Sequence, residues 1–162
     1  NTDKVEFIWG LEPSEGMRKK AQRNLDCSQI KVKWIGLPGE KIPLDDESVD
    51  TVLLTFTLCT IPDWKGALEQ MHRVLKPEGR LLFCEHGKAP DQRTLNWQNS
   101  INPYWKKLAG GCNLNRPISE LISQSGFEVS NLDTFYLPKL PKVASYIYFG
   151  SAVKECSKTN RP

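Results

Sequence analysis

Apolar residues along this chain switch between two spacings, and the switches mark out its elements. Residues 5–11, Val-Glu-Phe-Ile-Trp-Gly-Leu, mix β-formers and apolar groups over a strand's length. Pro13 and Ser14 break that run and predict a helix start, with Ser14 as its N-cap. Met17, Ala21 and Leu25 recur every four residues and give the helix one apolar face. Residues 30–35 alternate cleanly, as a strand near a sheet edge does. Residues 36–50 hold Pro38, Gly39, Pro43 and a short acidic cluster and read as a loop. Residues 51–58 are almost continuously β-branched or apolar, the pattern of a parallel strand covered on both faces.

Asp63 predicts an N-cap for the next helix, where Trp64, Ala67, Leu68, Met71, Val74 and Leu75 fall at helical spacing. Pro77 and Gly79 stop it, and residues 80–84 form a buried strand. Residues 91–111 are looser, because Pro103 interrupts the recurrence of Leu95, Trp97, Ile101, Tyr104, Trp105 and Leu108. Helical pieces lying over the ligand edge of the sheet are expected there. Pro117 and Gly126 bracket a short helix with Ile118, Leu121 and Ile122 on its buried side. Residues 128–135 and 146–153 are strands whose Pro/Lys connection is too short for a crossover helix, so they should pair antiparallel. The order β-α-β-(α)-β-α-β-α-β-β predicts an α/β fold, a mostly parallel sheet with helices on both faces and a C-terminal antiparallel hairpin.

Composition narrows this little. A chain of 162 residues with 39% hydrophobic and 25% charged positions is one ordinary globular domain, here residues 1–156 with a tail at 157–162. A net charge of +3, with basic and acidic residues interleaved, argues against nucleic acid as a partner. The lysines at 139 and 142 read as solvated surface. The five cysteines (Cys27, Cys59, Cys84, Cys112 and Cys156) form no CxxC pair, so no metal site is expected. Cys59 and Cys84 read as small buried hydrophobes, and a reducing, cytoplasmic setting is expected. The chain opens on Asn1 almost directly into a strand, so an upstream segment is expected. Membrane association and oligomeric state therefore stay open.

The candidate chemistry lies at strand ends. In open α/β sheets ligands sit beyond the carboxyl ends of the strands. There the chain places Glu12-Pro13-Ser14 after its first strand and Glu85-His86-Gly87 after residues 80–84. Two acidic strand ends separated by helices suggest a nucleotide-like cofactor.

Three segments, Leu11-Glu12-Pro13-Ser14, residues 42–50 and Arg73-Val-Leu-Lys-Pro-Glu-Gly-Arg80, stand in an order and spacing that resemble the class I S-adenosylmethionine-dependent methyltransferases. A more specific tract is Glu85-His86-Gly87-Lys88-Ala89-Pro90, Trp97-Gln98, Pro103-Tyr104-Trp105-Lys106 and residues 111–116. It resembles the branch holding bacterial small-molecule methyltransferases and animal methyltransferase-like proteins that methylate alkyl thiols; close relatives methylate quinone precursors or phospholipid amines. The family's acidic glycine-rich turn after its first strand is absent, and no GxG occurs. The resemblance therefore implies a Rossmann-like methyltransferase sheet lacking its first strand and glycine-rich loop, with that central strand upstream of Asn1. Such a piece alone is expected to be inactive.

The resemblance implies S-adenosyl-L-methionine as cofactor and a small, apolar acceptor bearing a thiol, amine or hydroxyl. Glu12 would accept both ribose hydroxyls, the alternative being a surface glutamate before a turn. Pro13 and Met17 would pack on the adenine, although Met17 also falls on the predicted core face. Gly39 and Glu40 match the loop that holds adenine. Pro38 stands where many relatives have an aspartate, which leaves recognition to the backbone or Glu40; an ordinary turn is the alternative. Thr55, Phe56 and Thr57 would face the cofactor's amino-acid portion and the transferred methyl, the alternative being threonines chosen only for β-propensity. Asp50 reads as structural, and His72 as solvent-facing.

Methyl transfer from a sulfonium is an in-line displacement, and a base is needed only where the acceptor must lose a proton. Glu85 and His86 are the candidates, imidazoles in general titrating near neutrality. Alternatively Glu85 holds loop backbone and His86 shapes the pocket. Trp97, Tyr104 and Trp105 would form an aromatic lid, the alternative being plain core. Two other functions remain: an NAD(P)-dependent oxidoreductase of Rossmann type, against which the closing hairpin argues, and a non-catalytic interaction fragment.

Overall fold

The computed structural model describes residues 4–26 and 28–155; Cys27, Cys156 and the tail at 157–162 lie outside them. The chain falls into two compact units, Asn1–Pro43 and Leu44–Pro162.

In the first unit, β1 (Phe7–Leu11) and β2 (Lys31–Ile35) pair in parallel, joined by helix α1 (Glu15–Leu25). Ser14 caps α1 as expected, its hydroxyl accepting from Met17 N–H at 3.3 Å. The expected core face of α1 is not found, since none of its residues is buried and Met17 is 56% exposed. A two-stranded sheet offers little surface to cover a stripe of three apolar residues.

The second unit holds β3 (Val49–Thr55), α2 (Trp64–Val74), β4 (Leu75–His86), α3 (Gln92–Leu108), α4 (Ile118–Ser123), β5 (Phe127–Tyr136) and β6 (Tyr146–Lys154). Its sheet runs β3-β4-β6-β5, with β3 parallel to β4 and both pairs involving β6 antiparallel. The closing hairpin is therefore where the short connection placed it. Among the described residues β1 and β2 form their own sheet, and β1 and β3 each keep one unpaired edge.

Phe83, Leu81, Ile118, Ile122, Phe127 and Ile147 are essentially buried and form the core under one face of this sheet. Each such side chain stabilises the fold by about 1.5–3 kcal/mol relative to an exposed one. The other face departs from the expectation of cover on both sides. Leu53 is 65% and Phe149 53% exposed, and with Leu82, Cys84 and Asn131 they line an open groove of about 490 Å³.

Two further differences have local causes. Residues 92–108 form one helix, not pieces broken at Pro103. Proline removes the hydrogen bond to the Asn99 carbonyl, but Asn99 and Pro103 are exposed, so water can serve that group. His72 does not face solvent: it packs edge-on against Phe127, ring centroids 5.2 Å apart, and this burial lowers its pKa. Asp50 is held by Lys76 at 2.7 Å, consistent with a structural role. Lys139 and Lys142 are exposed, and Lys142 lies over the Tyr136 ring.

Candidate active site

In the first unit, Glu12 follows directly on β1, its N–H bonded to the Ile35 carbonyl at 3.2 Å. Its Oε1 accepts from Ser14 N–H at 2.8 Å, while Oε2 makes no hydrogen bond among the described residues. Arg18 holds the backbone of this corner through the carbonyls of Glu12 and Pro13. Pro13 and Met17 lie exposed beside it. Gly39 and Glu40 sit in the turn after β2, both half-buried, and the Glu40 Oε2 is buried without a hydrogen-bond partner. A buried carboxylate oxygen without a donor is costly, and this one is free to accept a hydrogen bond.

In the second unit the rim at the ends of β3 and β4 is built around Glu85. This residue is fully buried at the end of β4. Its Oε1 accepts from Thr57 N–H at 2.6 Å and its Oε2 from Cys59 N–H at 3.2 Å. Those amides explain why β3 stops at Thr55 although the apolar run continues to Leu58. They turn to a side chain instead of a ladder partner. Burial raises the Glu85 pKa, and the amides of residues 57–59 oppose that shift. Of the two roles open to Glu85, these contacts fit the holding of loop backbone.

The turn is tight. Phe56 sits at φ 50°, a left-handed conformation that bulky residues rarely adopt and that clusters at functional sites. Its exposed ring stands 6.1 Å from His86. Thr57 donates its hydroxyl to the Thr55 carbonyl at 3.0 Å, so that hydroxyl is spent locally, whereas Thr55 is exposed. Arg116 clamps the loop through the carbonyls of Leu58 and Ile61.

His86 points its Nε2 at the Cys112 sulfur, 2.8 Å away. Asn113, next to Cys112, donates from both backbone and side chain to the Cys59 carbonyl, at 2.7 and 2.9 Å. The segment after α3 is thereby tied to the segment after β3. The Cys112 thiol is pulled well below its ordinary pKa, chiefly by the neighbouring Cys59 thiol and then by the hydrogen bond and charge of His86, with Trp105 contributing. The same sulfur neighbour and burial push Cys59 up.

The aromatic residues of α3 divide. Trp105 reaches Cys112, whereas Trp97 and Tyr104 are 62% and 72% exposed and belong neither to a core nor to a closed lid. The buried partner from this helix is Gln98, which accepts from Ala89 N–H and donates to the Gly87 carbonyl, fixing the turn after His86. Gly87 is required there, because a Cβ would run into the Arg116 carbonyl. Gln98, Cys112 and Arg116 lie in the tract that carries the resemblance, but nothing in it gave them these roles, and Cys59 read only as a small buried hydrophobe.

A methyltransferase domain model matches residues 2–83. The chain is 33% identical over 125 residues to the thiol S-methyltransferase TMT1A of Homo sapiens, covering 75% of this chain and 51% of that protein. With the thiol S-methyltransferase TMT1B of Rattus norvegicus it shares 36% identity over 103 residues, 62% of this chain and 42% of the relative. It therefore spans about half the length of the curated relatives it matches. A solved S-adenosylmethionine-dependent methyltransferase from Methanosarcina mazei has the same fold at 14% identity, with a TM-score of 0.74 over 95% of this chain and 84% of that one.

Proposed function

This chain belongs to the class I S-adenosylmethionine-dependent methyltransferases, and on that premise we propose that it serves methyl transfer to a small apolar thiol. The observation that carries the acceptor class is the rim of the second unit, where an imidazole and two thiols converge beside an exposed phenylalanine. The relatives named as thiol S-methyltransferases support the same choice.

On the donor side, Glu12 offers an unpaired carboxylate oxygen to the ribose hydroxyls. Glu40 offers a buried, unpartnered oxygen to the adenine amino group, taking over from the aspartate that Pro38 replaces. Gly39 lies in a turn whose backbone would face the adenine, and Pro13 and Met17 would present apolar surface to it. The residues present thus fit an adenosine. When bound, S-adenosylmethionine supplies an activated methyl group.

On the acceptor side, an alkyl thiol with a pKa near 8.5 is already partly ionised at neutral pH, so the transfer relies more on alignment than on a strong base. His86 acts on the acceptor sulfur, Thr55 and Phe56 border it, and Trp105 with the more exposed Trp97 and Tyr104 supplies aromatic surface that attracts a sulfonium. Glu85 is a positioning residue, holding the loop that carries Thr57 and Cys59. The free cysteines at 59, 84 and 112 suit a reducing, cytoplasmic compartment. No described helix is long and apolar enough to cross a membrane.

The test offers full-length protein S-adenosylmethionine with an isotopically labelled methyl group and three acceptors sharing one alkyl chain, a thiol, an amine and an alcohol. The labelled thioether should dominate the products by at least about 100-fold, because at neutral pH the amine is almost wholly protonated and the alcohol almost wholly un-ionised, leaving each a far smaller nucleophilic fraction than the thiol. A methylated amine or alcohol as main product would overturn the thiol assignment.

A further inference from the structure

Three soft donor atoms from three separate segments meet at the rim. The Cys59 sulfur, a ring nitrogen of His86 and the Cys112 sulfur all lie within 4.8 Å of one another. They come from the loop after β3, the end of β4 and the loop after α3. Both cysteines are buried and free, and His86 is half-buried.

The backbone around them is held from several sides. Glu85 takes the Cys59 N–H, Asn113 takes the Cys59 carbonyl twice, and Arg116 clamps the carbonyls of Leu58 and Ile61. These bonds fix the backbone from which the Cys59 donor springs. The carboxylate of Glu85 is committed to amides and does not compete as a ligand.

We propose that Cys59, His86 and Cys112 form a site for a soft divalent ion of the zinc type, whose fourth position takes the acceptor thiol. Two thiolates with one imidazole favour zinc over magnesium or calcium. Tetrahedral zinc at ordinary bond lengths separates a sulfur and a nitrogen ligand by about 3.6 Å. His86 Nε2 stands 2.8 Å from Cys112 Sγ, and all three donor atoms lie within 4.8 Å of one another. The His86–Cys112 pair would have to open by about 0.8 Å to take the ion. Three protein ligands leave one position open, as in catalytic rather than structural zinc sites. Two bound thiolates neutralise the ion's charge.

This inference rests on the thiol reading and refines the part of His86, which acts on the acceptor sulfur through the ion. The acceptor binds as a thiolate and its proton leaves to solvent. A sulfur lone pair then forms the new bond to the methyl carbon while the sulfonium carbon–sulfur bond breaks, its electrons staying on the departing thioether. No oxidant or reductant is needed. The methylated product is a neutral thioether, a poorer ligand, and leaves.

The test uses full-length, reduced, metal-stripped protein titrated with Co²⁺ as a spectroscopic stand-in for zinc. A single equivalent should bind, with thiolate-to-cobalt charge-transfer bands and tetrahedral ligand-field bands. Cys59→Ser, Cys112→Ser and His86→Ala should each weaken binding by more than about 10-fold. A variant with serine at 27, 84 and 156 should bind like wild type. Adding an alkyl thiol should shift the ligand-field bands, and its S-methyl derivative should not. The absence of thiolate bands in the wild-type protein, or bands unchanged in both Cys59→Ser and Cys112→Ser, would overturn the site. A full rate of thioether formation by the metal-stripped protein would also overturn it, leaving the thiol reading intact. Thiol-sensitive Co²⁺ binding without thioether formation would instead support the site and remove the methyl-transfer reading.

Discussion

Replacing Glu85 with alanine is expected to cost about 3 kcal/mol of stability in urea unfolding of the full-length protein. The substitution strips two backbone N–H groups, those of Thr57 and Cys59, of their acceptors. An unsatisfied buried donor costs about 1–3 kcal/mol. The pH dependence has a definite sign. Burial raises the Glu85 pKa in the fold, so its stabilising contribution is complete below the ordinary glutamate range and declines as pH rises through the folded value. The stability gap between wild type and Glu85→Ala should therefore narrow with rising pH. A loss below about 1 kcal/mol would show that these amides find other partners.

His86→Ala is expected to lower the rate of thiol methylation by about 10²-fold or more, the order of loss when reacting atoms are misplaced by about 1 Å. His86 is the imidazole at the β3–β4 rim, aimed at Cys112 and facing the strained Phe56. His72 packs against Phe127 instead. The donor-binding residues lie elsewhere in the sequence, so affinity for S-adenosylhomocysteine should stay within about twofold of wild type. A Kd that rises along with the fall in rate would point to a structural role for His86. An unchanged rate would remove it from the acceptor site.

Much of this architecture was legible before any coordinates. Ser14 and Asp63 announce helix starts because their side chains serve the amides three residues on, a purely local bargain. The pairing of β5 with β6 follows from a connection too short for a crossover. Strand ends carrying Glu12 and Glu85 mark the rims because the α/β architecture leaves ligands nowhere else to sit. What escaped depends on contacts between distant segments. The end of β3 was misplaced because Thr57 and Cys59 turn their amides to Glu85, and no window of local residues contains that acceptor. His86 and Cys112 lie in the tract that carries the resemblance, but their convergence with Cys59 joins three separate segments and leaves no local signal. The bare sheet face around Leu53 and Phe149 escaped because apolar periodicity records what a residue is, not whether anything covers it.

Methyl transfer by this chain rests most directly on the carboxylate that follows β1 holding the methyl donor. Calorimetric titration of full-length protein with S-adenosylhomocysteine, beside a Glu12→Ala variant of unchanged thermal stability, tests it. The expected result is a loss of about 1–3 kcal/mol in the variant, roughly five- to 160-fold in Kd, from the missing charge-assisted hydrogen bonds to the ribose. Equal affinity in the two proteins would contradict it.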